Sequence, residues 1–232
     1  MAYNITYAEK RRELDLLRGE LETERSTFLT HWRQLADFIL PRRPRFEVTD
    51  INRGEKRNQN IIDSTATFAA RTLASGMMSG ITSPARPWFR LTTQDSNMAE
   101  EGAVKSWLAD VTQKMGGIFL RSNLYNKLPT IYGDMGVFGT SALLVEEDFA
   151  NVVRFQAIPI GSYCISVNER GKVDVFTRNY QMTVRQLVAM FGYDTPDGDI
   201  QWDRFSVQVK QAWDVGTREV WIQVRHVIRP NP

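Results

Sequence analysis

From residue 5 to residue 40 apolar side chains return at steps of three, four or seven, at Leu14, Leu17, Leu21, Phe28, Trp32, Leu35 and Ile39, with charged residues between them. That spacing puts them on one side of a helix. Arg11 with Asp15 and Arg18 with Glu22 stand one turn apart and add modest support. Pro41 and Pro44 stop the helix. At 1.5 Å per residue it is about 50 Å long, more than a compact domain of this size needs, which suggests a spoke or a packing partner outside its own chain.

A second helix is predicted over 64–81, with Asp63 as its N-cap. It is crowded with small residues, among them Ala70, Ala74, Gly76 and Gly80, which let another backbone approach closely. Arg71 and the short apolar length argue against a lipid setting for the Gly76 and Gly80 pair, so close packing in a core or at a subunit interface is expected. Pro84 and Pro87 then force an extended path into Trp88 and Phe89, placing both rings as core anchors or as a contact between subunits.

A third helix covers 98–121, with Val104, Trp107, Leu108, Val111, Met115, Ile118 and Phe119 on one side and a weak point at Gly116 and Gly117. A fourth follows Asn123, takes Pro129 near its first turn and ends around Gly136 or Gly139. After that the period changes to two. Strands are predicted at 141–145, 152–158, 163–167 and 173–177, with a hairpin loop at 168–171, helices at 183–191 and 202–212, and a last strand at 219–228. The fold class is therefore a helix-rich α+β, long helices plus a small, mostly antiparallel sheet. Two regions are expected: a helical one, 1–138, with a basic loop at 41–57, and a β-rich one, 139–232. The last strand runs straight into Arg229-Pro230-Asn231-Pro232, which reads as a cut, so the chain is expected to be part of a longer polypeptide.

Composition narrows the function. The 232 residues are 42% hydrophobic and 11% aromatic, enough for a real core. Twenty-nine basic against 27 acidic residues leave a net charge of +2, far from a dedicated nucleic-acid binder. Local patches are the exception: Arg42, Arg43, Arg45, Arg53, Lys56 and Arg57 make a net-basic segment, readable as a solvated loop or as a contact to DNA or an acidic partner. One cysteine, Cys164, cannot form an internal disulfide and is expected as a buried thiol. No apolar run approaches the ~20 residues that span a bilayer, and no signal peptide opens the chain.

Motifs for catalysis are missing. There is no GxxxxGK[ST] loop, and Gly133, Gly136 and Gly139 precede a strand, the reverse of a dinucleotide fingerprint. His31 and His226 have no zinc-ligand spacing around them, and the spacing of Asp194, Asp197 and Asp199 departs from an EF-hand loop. Glu100 and Glu101 read as acidic residues near a helix start. No catalytic residue, cofactor site or metal site is assigned, and the chain is not expected to be an enzyme.

The run from Asp63-Ser64-Thr65 through the small-residue helix into Thr82-Ser83-Pro84-Ala85-Arg86-Pro87-Trp88-Phe89-Arg90-Leu91 resembles the head-to-tail connecting, or portal, proteins of short-tailed bacteriophages. So do Tyr132 to Val145, the strand ending at Ile158-Pro159, the Tyr163 strand, the Gly171-Lys172-Val173-Asp174 hairpin, Arg178, and the helix opening at Thr183 and running through Gln186. The likeness covers nearly the whole chain and lies in the order of structural patterns. It implies the N-terminal, mostly wing portion of a subunit in a homo-oligomeric ring, typically of twelve copies, at one capsid vertex of the virion. Double-stranded DNA would pass through the ring. The terminase packaging ATPase, scaffold, coat and tail proteins would be its partners, assembly would occur in the host cytoplasm, and no membrane would be involved. In that setting Ala70, Ala74, Gly76, Gly80, Trp88 and Phe89 are candidates for subunit packing. The competing expectation is a nucleic-acid-binding module using segment 42–57.

Overall fold

The structure, a computed structural model, describes residues 7–46, 54, 56–193 and 198–230. Helices α1 (Tyr7–Phe38), α2 (Thr65–Ile81), α3 (Ser96–Glu100), α4 (Gly102–Arg121) and α5 (Leu124–Phe138) come first. Strands β1 (Ala142–Asp148), β2 (Val152–Ile158), β3 (Tyr163–Val167) and β4 (Val173–Thr183) follow, then α6 (Val184–Phe191), a 3-10 turn at Trp202–Arg204, α7 (Val207–Asp214) and β5 (Trp221–Ile228). The helix-rich α+β class holds. Among the described residues the strands form two antiparallel sheets, β1-β2 and β3-β4-β5, in place of the one small sheet expected.

The chain divides into two compact units that interleave along the sequence. The sheet unit comprises Met1–Leu29, Arg45–Arg53 and Gly161–Pro232; the helical unit comprises Thr30–Pro44 and Gly54–Ile160.

In the helical unit the small-residue helix finds its partner in α5. Ala74, Leu124, Leu128, Tyr132 and Phe155 form the buried cluster, with Met77, Met78, Trp88, Phe119 and Leu143 packed around it. The close approach falls at Gly136, where a Cβ would stand 2.6 Å from Leu73 Cδ2. Gly76 and Gly80, by contrast, are exposed, with open space where a Cβ would be. A buried hydroxyl pair, Thr82 with Tyr132 at 2.8 Å, joins the end of α2 to α5.

Several boundaries moved, each for a local reason. Ser64 rather than Asp63 occupies the cap position of α2, yet the Asp63 carboxylate still accepts from the Thr65 N–H at 3.1 Å. The expected 98–121 helix is broken at Glu101, which is extended (ψ 127), while Asp95 caps the short α3 by accepting from the Asn97 N–H. Gly116 and Gly117 do not interrupt α4, since packing of its apolar face outweighs the roughly 1 kcal/mol cost of a helical glycine. Pro129 lies in the second turn of α5, because the helix already starts at Leu124. Asn123 stands before that start, its side chain bonding the Phe155 backbone as both donor and acceptor at 2.8 Å. The helix continues to Phe138, and Gly139 leaves it in the left-handed conformation (φ 75).

In the sheet unit β4 is the middle strand and runs to Thr183, six residues beyond the expected end. Arg178 to Met182 look too polar for a strand interior, but each pairs across to β5, from Arg178 opposite His226 to Met182 opposite Ile222. Asn168 closes the β3–β4 hairpin as expected: its side chain accepts from the Arg170 and Lys172 N–H groups, and Gly171 (φ 70) completes the turn. Thr183 and Gln186 form a reciprocal capping box for α6. The expected 202–212 helix splits around extended Phe205, so that Ser206 opens α7. Val184, Leu187, Val188 and Val209 make this unit's core, with Trp202, Phe205 and Trp213 against it.

Candidate functional site

The basic segment behind α1 resolves into side chains with different fates. Arg43, in the helical unit, inserts its guanidinium onto Asp134 of α5, with Nε 2.8 Å from both carboxylate oxygens and Nη2 2.5 Å from Oδ2. The same Nη2 donates to the Ile158 carbonyl at 3.2 Å. Asp134 is 1% exposed. Burial pushes its carboxyl above the usual range, and Arg43's hydrogen bonds and charge pull it back down. This forked pair ties the chain after α1 to α5 and to the end of β2, so Arg43 is held internally.

In the sheet unit Arg45 donates to Gln181 Oε1 at 3.3 Å. Arg42 and Lys56 are exposed and Arg57 is half-buried. Arg53 lies outside the described residues, as do Asp194 and Asp197 of the acidic turn considered for calcium. Arg43 and Arg45 are each engaged by a side chain of their own unit. Arg25 was not singled out in sequence, yet it serves as a clamp within the sheet unit. Its Nη1 donates to the carbonyls of Gly161 and Tyr163 at 2.6 and 3.0 Å. Glu22 accepts from Asn179, Asp15 from Arg225 and Glu13 from Arg229, so the first half of α1 meets the β3-β4-β5 sheet through polar side chains. An apolar stripe cannot reveal such a polar seam.

The residues considered for packing fall into two groups. Ala74 is in the core, Ala70 is half-buried, and Gly76 and Gly80 face open space. Trp88 and Phe89 are half-buried in an aromatic cluster: Trp88 donates its indole N–H to the Tyr125 hydroxyl at 3.0 Å, its ring centroid is 4.8 Å from Phe89 and 6.2 Å from Phe119, and Phe119 reaches Phe155. Beside this cluster lies a cleft of about 780 Å³, lined by Pro87, Trp88, Leu108, Gly116, Gly117 and the exposed Leu120 among others. Cys164 is buried as expected, which pushes its thiol pKa up. His226 accepts from Arg178 Nε at 3.2 Å, and His31 is exposed.

A buried ion pair and an aromatic cluster hold the helical unit, and polar seams join α1 to the sheet in the sheet unit. The family described as bacteriophage head to tail connecting protein matches residues 11–232, and the chain belongs to that family. It is 48% identical over 223 residues to the portal protein of Salmonella phage epsilon15, and 45% identical over 213 residues to the probable portal protein of Bordetella phage BPP-1. These matches take in 96% and 92% of this chain but only 38% and 37% of the relatives' lengths.

Proposed function

We propose that this chain is part of a structural subunit of a phage portal ring, set at one capsid vertex, that forms the conduit for genome packaging and ejection and the attachment point between head and tail. The observation that carries this reading is the 48% identity to a named portal protein, sustained over 96% of the chain. In this reading the helical region 1–138 and the β-rich region 139–232 supply mostly the wing of the subunit. Twelve copies close the ring; double-stranded DNA, the terminase ATPase and scaffold, coat and tail proteins are its partners, and it is assembled in the host cytoplasm into the virion. The role is mechanical, and ATP hydrolysis belongs to the terminase.

Physical properties of the chain are compatible with such a conduit. A channel for moving DNA must avoid strong sequence-independent adhesion, and each phosphate contact adds to it. A net charge of +2, with Arg43 committed to a buried carboxylate, keeps that adhesion low. The test is a hybrid in which residues 11–232 replace the matching segment of the epsilon15 portal protein, supplied to a phage that lacks its own. DNA-filled particles are the expected result. A hybrid that folds and accumulates but never enters capsids would contradict the reading.

A further inference from the structure

The β1–β2 hairpin of the helical unit ends in a turn that displays an aromatic side chain. Phe149 is 99% exposed, and the turn behind it is fixed: the Asp148 carboxylate accepts from the Ala150 N–H at 3.0 Å and from the Asn151 amide at 3.2 Å. Val152 then takes a left-handed conformation (φ 71), which a β-branched residue rarely adopts. The turn therefore holds Phe149 outward in one arrangement. Charge along the hairpin is uneven as well. Arg154 pairs with Glu146 at 2.5 Å, and beyond that rung the tip carries Glu147 and Asp148 and no cation.

The same unit contains the complementary shape. The cleft beside Trp88 and Phe89 is open to solvent and has a volume of about 780 Å³, room for an aromatic side chain and the turn that carries it. Its floor is apolar, and Gly116 and Gly117 open one wall by leaving α4 without side chains there. Arg86, Arg90, Lys105 and Glu100 stand around it. Lys105 and Glu100 pair at 2.7 Å, and Arg86 donates to the Ser79 and Gly80 carbonyls at 3.2 and 3.1 Å, so the lining keeps a net positive charge, with Arg90 beside the Glu100 pair, against the two carboxylates of the hairpin tip.

We propose that the hairpin tip of one copy, with Phe149 as its knob, seats in the Trp88 to Leu120 cleft of the next copy. The contact joins two different patches of the same chain, so it is heterologous and repeats in one direction, as a ring requires. It rests on the portal-ring reading for the closure of that repeat. Phe149 supplies the buried ring, the acidic tip at Glu147 and Asp148 meets the basic lining at Arg90, and the helix face at Gly116 and Gly117 admits the turn's backbone.

Two singly substituted chains test the seating. Ala150→Cys places a thiol beside the knob and leaves Phe149 intact, while Leu120→Cys places one at the cleft edge; the native Cys164 is buried and does not compete. Under mild oxidation the mixture should give a disulfide-linked pair well above either chain alone. Adding Phe149→Ser to the first chain should cut the yield about tenfold or more, the loss expected for one buried aromatic ring. Glu147→Lys should cut it too, and Arg90→Glu in the second chain should restore it, since an exchanged charge pair keeps the attraction. A mixture no better than its components overturns the proposal, and so does a yield indifferent to Phe149→Ser. Rings formed by the epsilon15 hybrid without this cross-link would leave the portal reading standing and remove the knob; cross-linking with a hybrid that associates into open chains but never closes would support the seating and remove the ring.

Discussion

Replacing Arg43 by Met probes the ion pair on which the helical unit depends. The substitution keeps most of the side chain's length and removes the two-pronged grip on Asp134, leaving a carboxylate that is 1% exposed without its cation. Breaking one partner of a buried pair costs about 3–5 kcal/mol, because the remaining charge has neither water nor partner. Arg43, itself 19% exposed, has a route to solvent that Asp134 lacks, so Asp134→Ala should cost less than Arg43→Met. The double variant Arg43→Met with Asp134→Leu removes both charges and should recover much of the loss. Denaturant unfolding followed by tryptophan fluorescence reads all three. The pH dependence separates this cause from simple loss of packing. Burial already raises the Asp134 pKa against Arg43's pull, and without Arg43 it rises further. A carboxyl raised in the folded state contributes stability below its unfolded pKa and loses it as pH rises through the folded value. The Arg43→Met penalty should therefore be smaller near pH 4 than near pH 8. A penalty below about 1 kcal/mol, or one flat across that range, would refute the reasoning.

Gly161 is left-handed (φ 86), and a Cβ there would stand 2.6 Å from the Phe46 ring and 3.0 Å from the Arg45 carbonyl, so Gly161→Ala should destabilise the sheet unit by at least about 1–2 kcal/mol in a urea melt. Val152→Gly should be neutral or stabilising by up to about 1 kcal/mol, since it relieves the left-handed strain at an exposed position, whereas Val153→Gly, half-buried against the core, should lower the melting temperature. The Ala150 and Asn151 hydrogen bonds hold the Asp148 carboxyl below the usual aspartate range, so the Ala150 amide resonance should titrate below that range; a midpoint at the ordinary value would mean that the turn is not fixed by Asp148.

Legibility tracked the kind of information each element carries. Helical periodicity placed α1 and α2 within two residues, and alternation placed β2 and β3 to the residue, because one buried face fixes each. The second half of β4 was invisible: Asn179, Tyr180 and Gln181 lie beyond the end of the β3 ladder, and their order comes from backbone pairing to β5 and not from apolar alternation. The break at Glu101 was missed although Gly102, a poor helix former, follows it and marks the place where α4 starts anew. Among candidate residues, small side chains on α2 correctly announced a close helix contact but not its place. That contact is made at Ala74 and at Gly136 of the opposite helix, and Gly136 had read as a helix end. Arg43 could be recognised as basic but not as buried, because its partner lies 91 residues away.

Ring formation is the central claim, and the mass of the assembled particle tests it most directly. Light scattering on the purified epsilon15 hybrid carrying residues 11–232, with electron micrographs of the same fraction, should give one discrete species of about a dozen copies that appears as closed rings. A hybrid that is folded and remains monomeric at every concentration would contradict the claim.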